Sequence, residues 1–86
     1  MKNYYSTLDG IVTTFSNIEP DRDGFEHISI RFERDIIHFA EFRLPENQIF
    51  KSFGFSDDEI MQLSEYLRDN APLIWEIARE EGDSLA

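Results

Sequence analysis

Histidine and carboxylate side chains are the groups in this chain whose chemistry suits metal binding or proton transfer. His27 and His38 are the only imidazoles. The strand pattern described below places them on opposite faces of a sheet, so they cannot bind one metal ion together. Because the chain contains no cysteine, a zinc site would need carboxylates and at most one histidine. We therefore expect ordinary surface or half-buried histidines, with no metal and no other cofactor.

Two acidic motifs have structural explanations. The run from Asp21 to Gly24 is similar to the start of a calcium loop, but Glu26 comes too early to be the last ligand. We interpret the run as a connecting turn. The acids at positions 57–59 precede a helical pattern, where the helix N-terminus lowers a carboxyl pKa, whereas a general acid needs a raised one. We interpret them as helix-capping residues and expect no catalytic residue among them.

The first part of the chain, residues 1–55, has the composition of strands. The clearest strand runs from Glu26 to Glu33, where apolar and polar side chains alternate. A second is predicted from Ile37 to Leu44, after a hairpin loop at 34–36, in a register that places Ile30 opposite Ala40. An earlier strand is predicted from Ser6 to Ser16, with a bulge at Gly10. Residues 45–54 are expected to be irregular, with Ile49, Phe50 and Phe53 packed onto the core.

The strongest local signal is a helix start at Ser56. Ser56 and Glu59 form a capping box, in which each side chain accepts a hydrogen bond from the backbone N–H of the other residue. Phe55 and Ile60 stand at the two positions of a hydrophobic staple. These residues predict a helix over 56–81, followed by a frayed tail at 82–86.

Two residues, Pro72 and Trp75, determine what we expect of the rest of the helix. Pro72 lacks the N–H of a helix interior, so it predicts either a kink or a split near that point. Trp75 lies beside the apolar stripe, and we expect it to be at least half buried against the strands. The sequence thus predicts an α+β, two-layer single domain over 1–86, in which a three-stranded antiparallel meander packs under a long C-terminal helix.

One helix covers only one face of such a sheet, which leaves Ile37 and Phe39 on the uncovered face. We expect these two residues to contribute to a protein interface, and we expect a homodimer in which two sheets stack face to face. Glu76, Glu80 and Glu81 cluster near the end of the helix. They are either a solvated end or an acidic surface for a basic protein partner.

The charge balance narrows the classes of partner. Lys and Arg total 8 against 18 Asp and Glu, which gives a net charge of −10. A negative charge of this size disfavours binding to nucleic acids and to anionic membranes. The chain shows neither a secretory signal nor an apolar run long enough to span a bilayer, so we expect a cytoplasmic protein.

Several short motifs resemble those of the bacterial Domain of Unknown Function 4160 family. They are His27-Ile28-Ser29-Ile30, Phe42-Arg43-Leu44, Gly54-Phe55-Ser56 and the helix spacing of Glu59-Ile60, Leu63, Leu67 and Asn70. The likeness covers residues 26–80, with Ser29 in place of the family's second histidine. It implies a small bacterial β-then-α protein that belongs to a pair of genes similar to toxin–antitoxin pairs.

These observations predict a non-catalytic protein-interaction module, the antitoxin-like or regulatory member of a bacterial gene pair. One alternative is a dimeric DNA-binding transcriptional regulator, which would need its arginines gathered on one strand face. The positions concerned are Arg22, Arg31, Arg34 and Arg43. A second alternative is a small hydrolytic enzyme, which would need a deep pocket that holds a buried carboxylate.

Overall fold

The computed structural model describes the backbone of residues 2–84 and the side chains of residues 3–80. Over this range the chain forms six strands followed by one helix. Their bounds are β1 (Lys2–Leu8), β2 (Ile11–Ser16), β3 (Glu19–Pro20), β4 (Glu26–Asp35), β5 (His38–Leu44), β6 (Gln48–Phe53) and α1 (Asp57–Ser84). The α+β class with a C-terminal helix is as predicted, but the three-stranded meander is wrong because the sheet has six strands.

The sheet is antiparallel throughout, with the strand order β1-β2-β4-β5-β6. The two-residue strand β3 pairs with the first residues of β4, beyond the end of β2. Apart from that short insertion, each strand lies beside the strand that precedes it in sequence. The main path of the sheet is therefore a five-stranded meander whose edges are β1 and β6.

The first additional strand results from a turn at Asp9 and Gly10, which divides one predicted strand into two. Both residues have positive φ, 52° and 78°, the combination that a two-residue hairpin turn requires. The chain reverses at this turn, so the predicted strand over Ser6–Ser16 becomes the hairpin β1–β2. The predicted bulge at Gly10 is therefore wrong, and the Asp-Gly pair marks a tight turn between two strands.

The second additional strand is β6, in the segment predicted to be irregular. Its six side chains are all exposed. The expectation that its apolar residues pack on the core is therefore wrong: Ile49 is 39% exposed, Phe50 52% and Phe53 60%. The reason is geometric, because β6 extends the sheet beyond the strip that a single helix can cover.

The pairing of β4 with β5 differs from the expected register by two residues. Ile30 lies opposite Phe42 and Phe32 opposite Ala40, whereas the sequence predicts Ile30 opposite Ala40. A shift of two residues leaves every side chain on its expected face, so the hydrophobic pattern alone cannot detect it. The hairpin turn consequently lies at positions 36 and 37 instead of 34–36.

The buried side chains form one cluster between the inner face of the sheet and the helix. Phe15, Ile28, Ile30, Phe32, Ala40, Phe42 and Leu44 come from the strands, and Leu63, Leu67, Ile74 and Ala78 come from α1. The strand residues follow a period of two and the helix residues a helical period, so one face of each element is apolar. The sheet therefore has an inner face, which the helix covers, and an outer face without a covering element among the described residues.

The helix continues through Pro72 without interruption, so the alternative of two separate helices is wrong. Trp75 is partly buried and packs against the core cluster. The helical backbone also passes Gly82 and reaches Ser84, inside the segment predicted as a tail. The last two residues of that predicted tail, 85 and 86, lie outside the described residues.

A candidate protein-interaction surface

The start of α1 fixes the helix against the end of β4. Ser56 N donates to Glu59 Oε1 at 2.9 Å, and Glu59 N donates to Ser56 Oγ at 3.2 Å, so both hydrogen bonds of the capping box are present. Glu59 also accepts from Arg34 Nη2 at 2.9 Å. The hydrogen bond from the Ser56 backbone and then the Arg34 bond lower the pKa of Glu59. Phe55 and Ile60 are partly buried against the core cluster.

The glycine before this cap is required by close packing. Gly54 has a φ of 83°, and a Cβ at this position would lie 2.5 Å from Ile37 O and 2.5 Å from His38 Cδ2. The turn that leads from β6 into the helix thus presses against the β4–β5 hairpin. This close contact holds the end of β6 and the start of the helix against the hairpin.

On the outer face of the sheet, Arg31 occupies the centre of a charged cluster. Arg31 Nε donates to Glu33 Oε1 at 2.9 Å, and Arg31 Nη1 donates to Glu41 Oε2. The hydrogen bond to Glu33, followed by that to Glu41, raises the pKa of Arg31, although partial burial acts in the opposite direction. The two carboxylates fix the position of the guanidinium, which also lies over an aromatic ring of the neighbouring strand.

Three phenylalanines and two arginines form an aromatic–arginine surface on the same face. The Phe39 and Phe53 rings stack with centroids 6.3 Å apart and an interplanar angle of 15°. Arg31 Cζ lies 4.3 Å from the Phe39 ring centroid, and Arg43 Cζ lies 4.2 Å from that of Phe50. These distances are typical of cation–π contacts. The aromatic–arginine surface, namely Arg31, Phe39, Arg43, Phe50 and Phe53, runs from the middle of the sheet to its β6 edge.

A shallow hollow of about 340 Å³ lies beside the aromatic–arginine surface. Its rim combines hydroxyl groups and carboxylates around Arg31; the residues that line it are Thr14, Phe15, Ser16, Glu19, Ser29, Ile30, Arg31 and Glu41. Ser16 Oγ accepts from Ser29 N at 2.9 Å, so the strands β2 and β4 are joined at its floor. The hollow thus combines the Glu19 carboxylate and several hydroxyl groups with apolar surface, so it can accept a side chain that has an apolar stem and a polar or basic end.

The residues predicted to bind a partner fall on different parts of the molecule. Phe39 lies on the outer face as expected, but Ile37 lies in the β4–β5 turn and is 58% exposed. Its placement on a strand face is therefore wrong. Glu76 and Glu80 are exposed on the helix, in the other layer, while the Glu81 side chain lies outside the described residues. Glu76 and Glu80 thus lie on a different surface from Phe39.

Phe50 and Phe53 are the members of this surface that the sequence analysis missed. The sequence pattern predicts an irregular segment here because a bulge at Phe50 breaks the alternation of faces within β6. A signal was nevertheless present: an aromatic-rich run of six residues lies between Asn47 and Gly54, two residues that favour positive φ.

The two histidines considered for metal binding and proton transfer lie on different strands, His27 on β4 and His38 on β5. His38 Nδ1 lies 2.7 Å from Asp35 Oδ1, and this hydrogen bond is the main cause of the lowered pKa of Asp35. His27 lies on β4, on the outer face by the alternation of that strand. Across the part of the chain with described side chains, no group of three or more potential ligands is close enough to hold a metal ion. No carboxylate in that part is fully buried.

The arginines needed by a DNA-binding regulator are dispersed in this structure. Arg31 and Arg43 share the outer face, but Arg31 is occupied by two carboxylates. Arg34 pairs with Glu59 at the helix start, and Arg22 lies in the exposed loop before β4. The four residues therefore do not form one cationic face.

Comparison of the chain with protein-family models, with curated proteins and with solved structures found no match. The resemblance to the Domain of Unknown Function 4160 family thus remains a prediction from its motifs. Among the described residues, no helix is both long and apolar enough to cross a membrane.

Proposed function

We propose that this protein is a non-catalytic interaction module that binds a partner protein through the outer face of its sheet. The observation that carries the proposal is the stack of the partly buried Phe39 on the exposed Phe53, with Arg31 held over Phe39. Phenylalanine and arginine are enriched at the centres of protein interfaces, where a rigid side chain loses little entropy on binding. Arg31 is already fixed by Glu33 and Glu41, so the surface is ordered before the partner arrives.

The chemistry of the neighbouring hollow favours a partner with basic side chains. Glu19 and Glu41 lie on its rim together with hydroxyl groups, and the whole chain carries a net charge of −10. A lysine or arginine of the partner placed there would find acceptors, and the overall charge would accelerate its approach. The resemblance to the Domain of Unknown Function 4160 family adds that the partner is the product of a neighbouring bacterial gene, with this protein as the antitoxin-like or regulatory member.

Co-purification with a tagged protein from its native cell tests this proposal. The wild-type protein should retain one partner, and Thr14→Lys should lose it because a cation then fills the hollow. Glu76→Gln is the matched control, since it changes the net charge by the same amount on the helix layer. Loss of the partner in Glu76→Gln but not in Thr14→Lys would assign binding to the helix and contradict the proposal.

A further inference from the structure

The β6 edge of the sheet is an open strand with an apolar surface. Beyond β6 no further strand is present among residues 2–84, so the backbone groups on its far side have no sheet partner there. Ile49, Phe50 and Phe53 are all exposed on this strand. An exposed, aromatic-rich edge strand favours pairing with another strand, since that pairing satisfies backbone donors and acceptors and buries apolar surface together.

The inner side of the same edge is also open. A groove of about 330 Å³ separates β6 from the helix, and its lining combines Ile49, Ile60 and the 62%-exposed Met61 with charged side chains of the helix, namely Asp57, Glu65 and Arg68. Asn47 forms one wall, where its Nδ2 donates to Ser64 O at 3.2 Å and its buried Oδ1 has no hydrogen-bond partner. A strand added at β6 would therefore meet apolar side chains on both faces of the sheet.

From these features we infer that β6 pairs with β6 of a second copy of this chain, so that one antiparallel sheet runs through a homodimer. This arrangement differs from the face-to-face stacking expected from the sequence. Stacking would bury Arg31, Glu33 and Glu41 between the sheets, whereas pairing at the edge leaves those charges in water.

The register of β6 against β5 selects a specific alignment of the two copies. Lys51 pairs with Glu41 and Phe53 with Phe39, so both side chains lie on the outer face, and Ser52 pairs with Ala40 on the inner face. Placing the two-fold axis at Ser52 sets Lys51 opposite Phe53 of the second copy, which joins side chains of the same face. Each Lys51 then has an aromatic ring beside it.

The charge distribution supports a second copy as the occupant. The chain carries a net charge of −10, yet Lys51 is the only charged residue within β6. Pairing of β6 with β6 therefore brings no carboxylate of one strand opposite a carboxylate of the other. The other edge strand, β1, also has a lysine, Lys2, as its only charged residue, so the choice of β6 rests on its exposed apolar side chains. An alignment with the axis at Lys51 would oppose two like charges, whereas the axis at Ser52 separates them.

Sedimentation equilibrium of the full chain over a micromolar concentration series tests the inference. We expect about twice the chain mass of 10.2 kDa for the wild-type protein. Phe53→Lys should raise the dissociation constant roughly tenfold or more, because the dimer loses two symmetric cross-strand pairs and gains repulsion with Lys51. Leu8→Lys at the β1 edge is the matched control, since Leu8 is 55% exposed and Phe53 60%.

Disulfide trapping gives a second readout that does not depend on the folding of Phe53→Lys. The chain has no cysteine, so Ser52→Cys introduces one thiol. Directly opposed residues of antiparallel strands have Cα atoms about 4.5–5.5 Å apart, within the range that a disulfide spans. Ser52→Cys should form a covalent dimer faster than the control Thr7→Cys on the exposed β1 edge.

Three results would overturn the inference: a monomer at every concentration, a dimer that dissociates with Leu8→Lys but not with Phe53→Lys, or equal trapping rates for the two cysteine variants. The dimer and the partner-binding proposal fail separately. Thr14 lies on β2, so Thr14→Lys should abolish partner capture and leave the dimer unchanged.

Discussion

The two edges of the sheet are built in opposite ways. At the β1 edge, Tyr5 Oη donates to Asn70 Oδ1 at 2.6 Å, and Ser6 Oγ lies 2.6 Å from Tyr66 Oη, so the strand is fastened to the helix. At the β6 edge, every side chain of the strand is exposed. Both edges contain a bulge, so the bulge is not what distinguishes them. The difference lies in the contacts with the helix, because the Tyr5 and Ser6 side chains of β1 form hydrogen bonds with helix residues, whereas all six side chains of β6 are exposed.

The two edges therefore contribute to different properties of the protein, β1 to the stability of the fold and β6 to association with another strand. A protected edge contributes to the free energy of folding, whereas an open apolar edge contributes to association. The aromatic–arginine surface continues to β6 and not to β1, which places the candidate interface and the open edge on the same side of the molecule. If this contrast holds, substitutions at the β1 edge should lower the free energy of unfolding, and substitutions at the β6 edge should weaken association.

The largest expected effect is the loss of the helix tyrosine that fastens β1. Tyr66→Ala removes the hydrogen bond to Ser6 and the edge-to-face contact with Phe32, whose ring centroid lies 6.2 Å away. We expect it to lower the free energy of unfolding by about 3 kcal/mol. Phe53→Ala at the open edge should cost less than about 1 kcal/mol. Urea unfolding at low protein concentration measures both, since dilution removes any contribution from association. Equal losses would contradict the contrast between the edges.

A smaller effect is expected from Tyr5→Phe, which deletes one hydroxyl at the β1 edge. The change leaves Asn70 Oδ1 without its donor and should cost about 1.5 kcal/mol. It should also alter the response to alkali. Burial, and then the charge of Tyr66, raise the pKa of Tyr5 above its ordinary value of 10.0.

The sign of this alkaline effect follows from linkage. A pKa raised by folding gives stability that is complete below pH 10.0 and is lost as the pH rises through the folded-state value. Wild-type stability should therefore fall above pH 10, and Tyr5→Phe should flatten that fall. A variant with the same alkaline profile as the wild type would show that Tyr5 does not titrate with unfolding.

The helix cap should make a contribution of about 1 kcal/mol, independent of either edge. Ser56→Ala removes the acceptor of the Glu59 N–H. Thermal unfolding should show this loss, while sedimentation should show no change in association, because the side chain lies beyond β6. A change in association with unchanged stability would instead make Ser56 part of the open edge.

The smallest expected effect is the acid response of Glu59. The folded-state pKa lies below the ordinary 4.5, so the stabilisation is present above that value and is lost as the pH falls through the folded-state pKa. Glu59→Gln keeps an acceptor for the Ser56 N–H but cannot titrate. Its unfolding free energy should depend less on pH below 4.5 than that of the wild type. Parallel profiles for the two proteins would contradict this role.

The sequence predicted the elements whose side chains alternate cleanly or carry a cap. The faces of β4 and β5 and the start of α1 follow from local patterns, in which burial and hydrogen bonding agree. Two of the three additional strands have identifiable causes. The Asp9-Gly10 pair has the composition of a hairpin turn as well as that of a bulge, and the bulge at Phe50 hides the period of β6. The third, β3, has only two residues and no pattern of its own.

Neither the register of the β4–β5 hairpin nor the pairing of rings in the aromatic–arginine surface follows from the pattern of a single strand. A two-residue shift preserves the face of Ile30 and Phe32, so only the turn at 36–37 distinguishes the alternatives. The stack of Phe39 on Phe53 requires β6 to lie beside β5. Phe39 was therefore placed on the correct face from the sequence, but its partner ring was not found.

The order of the elements also has a consequence for synthesis of the chain on the ribosome. All six strands precede the helix, so the sheet can form before the residues that cover it exist. At about 5–20 residues per second, the interval between the synthesis of Leu63 and Ala78 is roughly one to three seconds. Until the helix has formed and packed, Ile28, Phe42 and the other inner residues of the sheet lack the side chains that bury them in the folded protein. For at least that interval the inner face of the sheet is available to other hydrophobic surfaces, including those of chaperones.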